Sequence, residues 1–263
     1  MTSSWANNMT FMMAVSGKGG VGKTSVLAMI LKSLNDAGET DILVLDGDPD
    51  SNMPDVLGLD VKGTIADIPD RLRVQLEQGN VGPLYVKDRY LDSAIFDIIY
   101  ESNPFDLLVL GSIEKEGCYC SINAQLQVIL EKYASAYKYV LIDLPAGLEH
   151  INRGVVRAPD LLLVVTDGSK MGFSTAKRIK GLTDKLGTGQ KRLVLVGNRV
   201  SNELLKIFKD FARSNGYEFG GLVPEDKELQ KLNLLGPSIL EISANSPAFE
   251  AVHHIFTKFV NGL

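Results

Sequence analysis

The stretch "AVSGKGGVGKT", residues 14–24, decides the fold. It stands between a continuous apolar run, "FMMAVS" (11–16), and a segment with helical apolar spacing, 23–36. An uninterrupted apolar run of that length reads as a strand covered on both faces. A glycine-rich turn that leaves such a strand and opens a helix has the context of a phosphate loop, and Gly17 to Thr24 follows its pattern. Glycines let the backbone turn its N–H groups onto phosphate oxygens, and the helix adds its positive end. Lys23 is then expected to reach the β and γ phosphates and the Thr24 hydroxyl to sit on Mg²⁺. The candidate nucleotide contacts of this loop are Gly17, Lys18, Gly19, Gly20, Val21, Gly22, Lys23, Thr24 and Ser25.

Outward from the loop, apolar runs at 41–46, 106–111, 139–144, 161–166 and 192–197, with a shorter one at 218–223, predict further strands. Helical patterns at 121–136, 169–186, 201–214, 226–235 and 245–260 alternate with them. That alternation predicts an α/β P-loop NTPase fold: one open, mostly parallel sheet with helices on both faces. The whole chain, 1–263, reads as a single domain, with 1–10 a flexible leader. Residues 52–104, punctuated by Pro54, Pro69, Pro83 and Pro104, read as an inserted helical region. With 45% hydrophobic and 22% charged residues the composition is that of a soluble globular chain. No signal peptide or spanning helix is apparent, and a cytoplasmic location is expected. A net charge of -5 weighs against a nucleic-acid partner.

Lys18 narrows the class. A loop of the form GKGGxGKT resembles the deviant Walker motif of the MinD, ParA and nitrogenase-iron-protein superfamily. The resemblance implies that Lys18 crosses a homodimer interface to the partner's phosphates. Strand 41–46 runs into "DGDPDSN", where Asp48-Pro49 matches the switch I position of the aspartate that positions the attacking water. Asp46 and Asp50 share that acidic turn, where carboxylates are often merely solvated or cap a helix. Strand 139–144 ends in "DLPAG", so Asp143 reads as the Walker B carboxylate holding Mg²⁺ through its water shell, with Gly147 in switch II. Lys18, Lys23, Asp48 and Asp143 are thus the candidate catalytic residues, and Thr24, Asp48 and Asp143 the candidate Mg²⁺ ligands. By the same resemblance Asn198 reads the adenine edge, Arg199 stands where a lysine is usual, and Pro224 and Glu225 pack near the base.

The cysteines are Cys118 and Cys120, one residue apart in "EKEGCYCSINAQLQ". Two thiolates are half of the four ligands that Zn²⁺ or Ni²⁺ commonly takes, and His150 is the one nearby-looking residue to add. A symmetric dimer supplies four thiolates at its two-fold axis. "AVSGKGGVGKT", "LDGDPDSNMPDVLGL", "GCYCSINAQL" and "AGLEHINRG" together resemble the nickel-insertion accessory ATPases of the CooC and AcsF type, over nearly the whole chain. That resemblance implies ATP/ADP with Mg²⁺, a Ni²⁺ or Zn²⁺ on the cysteine pair at a nucleotide-controlled homodimer interface, and a client nickel enzyme, carbon monoxide dehydrogenase or acetyl-CoA synthase. The chain departs from the pattern in its N-terminal leader, in Pro145, where a glycine is expected, and in Arg199.

Two other classes share the P-loop. An iron–sulfur reductase component also uses interface cysteines, but from well-separated loops, and "DLPAGLEHINRG" contains none. A MinD- or ParA-like surface binder would want a membrane-seeking terminal helix or a basic patch. The C-terminal "AFEAVHHIFTKFVNGL" is amphipathic, yet is expected to be the last helix packed on the sheet, with His253 and His254 as surface or packing residues. No stable membrane association is expected.

Overall fold

The computed structural model describes residues 10–78, 85–111, 120–146, 158–186 and 192–260; the side chains of 76, 85–89, 120–125 and 127 lie outside that description. The leader up to residue 9, Cys118, Gly147 and His150 therefore also lie outside it.

The strands form one sheet in the order β3-β4-β2-β5-β1-β6-β7-β8. They are β1 (Phe11–Gly17), β2 (Ile42–Asp46), β3 (Tyr100–Glu101), β4 (Asp106–Val109), β5 (Tyr139–Asp143), β6 (Leu161–Thr166), β7 (Arg192–Asn198) and β8 (Glu218–Val223). All pairings are parallel except β3 with β4. Parallel neighbours need crossovers, and the helices supply them on both faces.

Alternation within each strand divides the core into two layers. In β1, Met12 and Ala14 face one layer with Leu72, Ile95, Leu130, Ile179 and Phe208, while Met13 and Val15 face the other. The second layer is closed by helix α1 (Lys23–Asp36) and the C-terminal helix Pro247–Phe259. That last helix starts with Pro247 in its first turn, behind Ser246, whose hydroxyl accepts the Phe249 N–H at 3.1 Å. Phe249, Val252, Phe256 and Phe259 are all buried, so its apolar face is spent on the sheet, as expected. His253 packs toward Ser33 (Nδ1 to Oγ, 3.2 Å) and His254 is exposed.

Several boundaries differ from expectation. β4 stops at Val109: the Leu110 N–H still bonds the Asp46 carbonyl of β2 (2.8 Å), but the Leu110 carbonyl leaves the ladder and accepts from Ala66 (3.0 Å). Gly111 then takes a left-handed φ of 71°, which leaves the strand. The segment 201–214 begins as a 3₁₀ turn, Asn202–Leu204, and becomes α-helical at Leu205–Ser214. The helix after the cysteines spans Cys120–Ala134, so Cys120 is its first residue. The region 52–104 holds helices Met53–Leu57, Ile68–Glu77 and Tyr85–Ile98, together with the short antiparallel edge strand β3, which no apolar run predicted. Among the described residues, no helix is long and apolar enough to cross a membrane.

Candidate functional site

Parallel strands deliver their C-terminal ends to one edge, and residues in equivalent register end side by side. Asp143 is registered against both Val15 of β1 and Asp46 of β2. Gly17 is registered against Val165 of β6, and Asn198 against Val223 of β8. Sheet topology thus brings together the glycine loop, the turn after Asp46, Asp143 and Asn198, which lie far apart in sequence.

The P-loop keeps the geometry its glycines were expected to give. Gly20 and Gly22 adopt φ of 78° and 86°, values that L side chains rarely take. A Cβ on Gly22 would meet Asn198 Nδ2 at 2.5 Å, and one on Gly17 would run into the Val165 carbonyl. Asn198 is buried and donates from Nδ2 to the Val21 carbonyl at 2.7 Å, so β7 pins the loop from behind. Its Oδ1 has no partner among the described residues, leaving one buried acceptor beside the loop. Arg199 reaches over the same loop, donating from Nη1 to the Gly20 carbonyl at 3.3 Å, from a left-handed backbone of φ 59°. Among the described residues, none accepts from the N–H of Gly19, Gly20 or Gly22, so these donors remain for a ligand.

The charged groups are already paired with one another. Lys23, almost fully buried, places Nζ 3.5 Å from Asp48 Oδ2. The Thr24 hydroxyl donates to Asp143 Oδ2 at 2.5 Å. Lys18, with about a third of its side chain exposed, lies 3.8 Å from Asp167 Oδ2 at the end of β6. That contact is a weak one, at most about 1 kcal/mol at such exposure. Asp167 is held in turn by the hydroxyl (2.6 Å) and amide (3.1 Å) of Ser169. Burial works against its ionisation, but the Ser169 bonds and Lys18 outweigh it and keep the carboxyl below the usual range.

Asp46 and Asp143 are both fully buried, and burial is the main cause of their raised pKa values. Asp143 is pushed up to about 7, against the Thr24 bond that lowers it, with the Asp46 charge adding to the rise. Asp46 is pushed up to about 6, against two backbone amides that favour its charged form. Asp143 Oδ1 is buried with no partner among the described residues. A desolvated carboxylate oxygen beside a threonine hydroxyl is the donor set a hard divalent cation takes, so these residues fit Mg²⁺.

Beyond Asn198, a cavity of about 470 Å³ opens between the ends of β7 and β8 and the C-terminal helix. Pro224 lines it with Val200, Ser201, Leu222, Pro247 and Glu250, while Glu225 is exposed and Ser25 is buried in α1. Of the cysteine pair, only the Cys120 backbone falls within the described residues, at the start of the helix that comes after β4 in the chain.

Sequence reasoning did not single out Asp167 or Asp226. Asp226 accepts from the Glu228 (2.7 Å) and Leu229 (3.0 Å) amides, the Ser246 hydroxyl (2.7 Å) and the Ala248 amide (3.2 Å), tying the starts of two helices together behind the cavity. An aspartate immediately before a helical pattern was the available signal for its capping role. Nothing in the spacing of Lys18 and Asp167 marked them as partners.

The family model of the CobQ/CobB/MinD/ParA nucleotide binding domain matches residues 12–237. The chain belongs to this family. Within the MinD/ParA-type family it is 39% identical over 248 residues to an uncharacterised ATP-binding protein of Methanocaldococcus jannaschii, covering 94% of this chain and 98% of the relative. It is 28% identical over 239 residues to the carbon monoxide dehydrogenase accessory protein CooC of Rhodospirillum rubrum, covering 88% and 89% of the two chains. The septum site-determining protein MinD of Pyrococcus horikoshii, solved with Mg-ADP, superposes with a TM-score of 0.66 at 20% identity, over 94% of this chain and 95% of that one. The family match and this likeness bear out the α/β P-loop fold.

Proposed function

We propose that this protein is a homodimeric, Mg²⁺-dependent ATPase that assists nickel incorporation into carbon monoxide dehydrogenase or acetyl-CoA synthase, carrying the metal as cargo on Cys118 and Cys120. The observation that carries the nucleotide half is the pairing of Lys23 with Asp48 at 3.5 Å under a loop whose glycine amides face no acceptor among the described residues. Lys23 thus lies between the loop that receives the phosphates and the carboxylate assigned to the attacking water, and Asp48 stands where it can hold that water in line with the γ-phosphate.

Thr24 and Asp143 are the residues that would hold Mg²⁺, whose chemistry there is to neutralise charge on the β and γ phosphate oxygens. Asn198 keeps its Oδ1 for the base, and Pro224 offers an apolar wall nearby. Lys18 rests on Asp167 in the single chain. Reaching a partner's phosphates requires it to leave that carboxylate, a small cost for a pair this exposed.

The nickel half rests on the cysteine pair and on the similarity to CooC over 88% of this chain. Four thiolates from two chains make a soft site suited to Ni²⁺ or Zn²⁺, and its affinity falls at low pH because ligation needs thiolates. The test is metal stoichiometry for reduced, anaerobic protein titrated with Ni²⁺, with and without a non-hydrolysable ATP analogue. Half an equivalent per chain, abolished by Cys118→Ala with Cys120→Ala, is the expected result. Nucleotide-driven dimers without cysteine-dependent metal would move the assignment to a nucleotide-switched surface binder of the MinD kind.

A further inference from the structure

The turn from β2 into switch I contains a second aspartate that the proposed mechanism does not use. Asp46 is the last residue of β2 and is fully buried. Each of its carboxylate oxygens accepts a different backbone N–H: Oδ1 takes that of Asp48 at 3.1 Å, and Oδ2 takes that of Met53 at 2.9 Å. The two donors stand at opposite ends of the loop Gly47–Asn52, so one carboxylate closes the whole of switch I from inside.

The rest of the loop follows from that closure. The Asp48 carboxylate accepts the Asp50 N–H at 3.2 Å, and the Asp48 carbonyl accepts the Ser51 N–H at 2.9 Å. Ser51 takes a left-handed φ of 50°, which is disfavoured for a non-glycine residue and persists only when its surroundings fix it. Gly47 donates to the Asp143 carbonyl at 2.9 Å, and a Cβ there would also collide with that oxygen. Asn52, the residue before helix Met53–Leu57, makes no side-chain cap, and the Asp46 carboxylate serves the first amide of that helix instead.

We propose that Asp46 is a positioning residue for the ATPase reaction: it acts through Asp48, holding switch I in the one shape that aims the Asp48 carboxylate into the phosphate site. A water-positioning role for Asp46 itself does not fit, since both of its oxygens are engaged and it is sealed from solvent. A carboxylate is required, because an amide of the same shape offers one acceptor and turns an N–H toward one of the two backbone donors. The inference rests on the proposed role of Asp48, and the experiment separates the two.

Asp46→Asn, Asp48→Ala and the double variant are compared in two readouts. The first is amide hydrogen exchange at residues 48 and 53 in the nucleotide-free chain, which needs no activity. Asp46→Asn is expected to speed exchange there about 10-fold or more while leaving β1 and β5 amides unchanged. The second is ATP turnover. Asp46→Asn is expected to lower kcat about 10-fold or more with KM for ATP within about 3-fold, and to cause no further loss in the Asp48→Ala background, because a residue acting through another is non-additive with it. Asp46→Glu, which keeps both oxygens but displaces them, is expected to recover neither readout.

Unchanged exchange at residues 48 and 53 would overturn the proposal, as would an Asp46→Asn loss that multiplies fully with that of Asp48→Ala. If Asp48→Ala leaves turnover intact while Asp46→Asn loosens the loop, the water-positioning assignment of Asp48 fails. The clamp then stands as a feature of the loop, but its claimed part in catalysis is overturned.

Discussion

Two loops meet at the nucleotide edge, and they use their backbone donors in opposite ways. The P-loop points the amides of Gly19, Gly20 and Gly22 at no acceptor among the described residues and is braced from outside, by Asn198 at 2.7 Å and Arg199 at 3.3 Å. Switch I turns its amides inward, onto Asp46 and onto the carboxylate and carbonyl of Asp48. The first loop is built to receive oxygen atoms from a ligand. The second is built to hold one carboxylate in place. Between them, Lys23 links the two by its 3.5 Å contact with Asp48.

The largest effect expected of any single change falls on that link. Lys23→Ala removes the cation that lies among Asp46, Asp48 and Asp143, and with it the charge-assisted contact to the phosphates. ATP affinity, read by calorimetry, is expected to fall about 100-fold or more. Retention of near-native affinity would break the comparison, because the P-loop would then bind through its amides alone.

A second, smaller effect separates two glycines of one loop. Gly22 has a φ of 86°, and a methyl added to it would sit 2.5 Å from Asn198 Nδ2, whereas a methyl on Gly19 meets nothing within 4 Å. Gly22→Ala is expected to cost about 1–3 kcal/mol of stability and Gly19→Ala less than about 1 kcal/mol, measured as urea midpoints of the free chain. Equal losses at the two positions would show that the bracing by Asn198 does not shape the loop.

The third effect is one of pH. In the unfolded chain Asp143 titrates near 3.8, while in the folded chain burial raises it to about 7. Between those values the folded state holds more protons than the unfolded one, so this group makes stability fall as pH rises through that window. Asp46, raised to about 6, works in the same direction. Asp143→Asn is therefore expected to raise the melting temperature of the nucleotide-free chain at pH 8 by a few degrees, and to change it little near pH 4. On the proposed role of Asp143 in holding Mg²⁺, Mg²⁺-nucleotide is expected to bind more weakly as pH falls below about 7 and to release protons on binding there. A destabilised Asp143→Asn chain at pH 8 would contradict the assigned protonation.

Much of this edge was legible in the sequence because it rests on local rules. Gly20 and Gly22 advertise left-handed backbone, and a glycine loop between an apolar run and a helix has few other uses. The apolar runs marked the strands because both faces of a parallel sheet are covered; their ends drifted where a carbonyl left the ladder, as at Leu110, which accepts from Ala66. What was not legible depends on register between distant strands. Asp46 and Asp48 look alike in "DGDPD", and only the folded turn shows one sealed as a clamp and the other paired with Lys23. Lys18 and Asp167 meet only because β1 and β6 are neighbours. Edge strand β3 is too short to leave a period in the sequence.

The most direct test of the account is the mass of the protein in solution with Mg²⁺ and ATP, using Asp48→Ala to retain the nucleotide, with and without a second change, Lys18→Ala. The account predicts a dimer for Asp48→Ala with ATP, a monomer with ADP, and a monomer in both nucleotides once Lys18 is removed. A chain that stays monomeric with ATP, or that dimerises equally well without Lys18, would contradict a nucleotide site completed across two subunits.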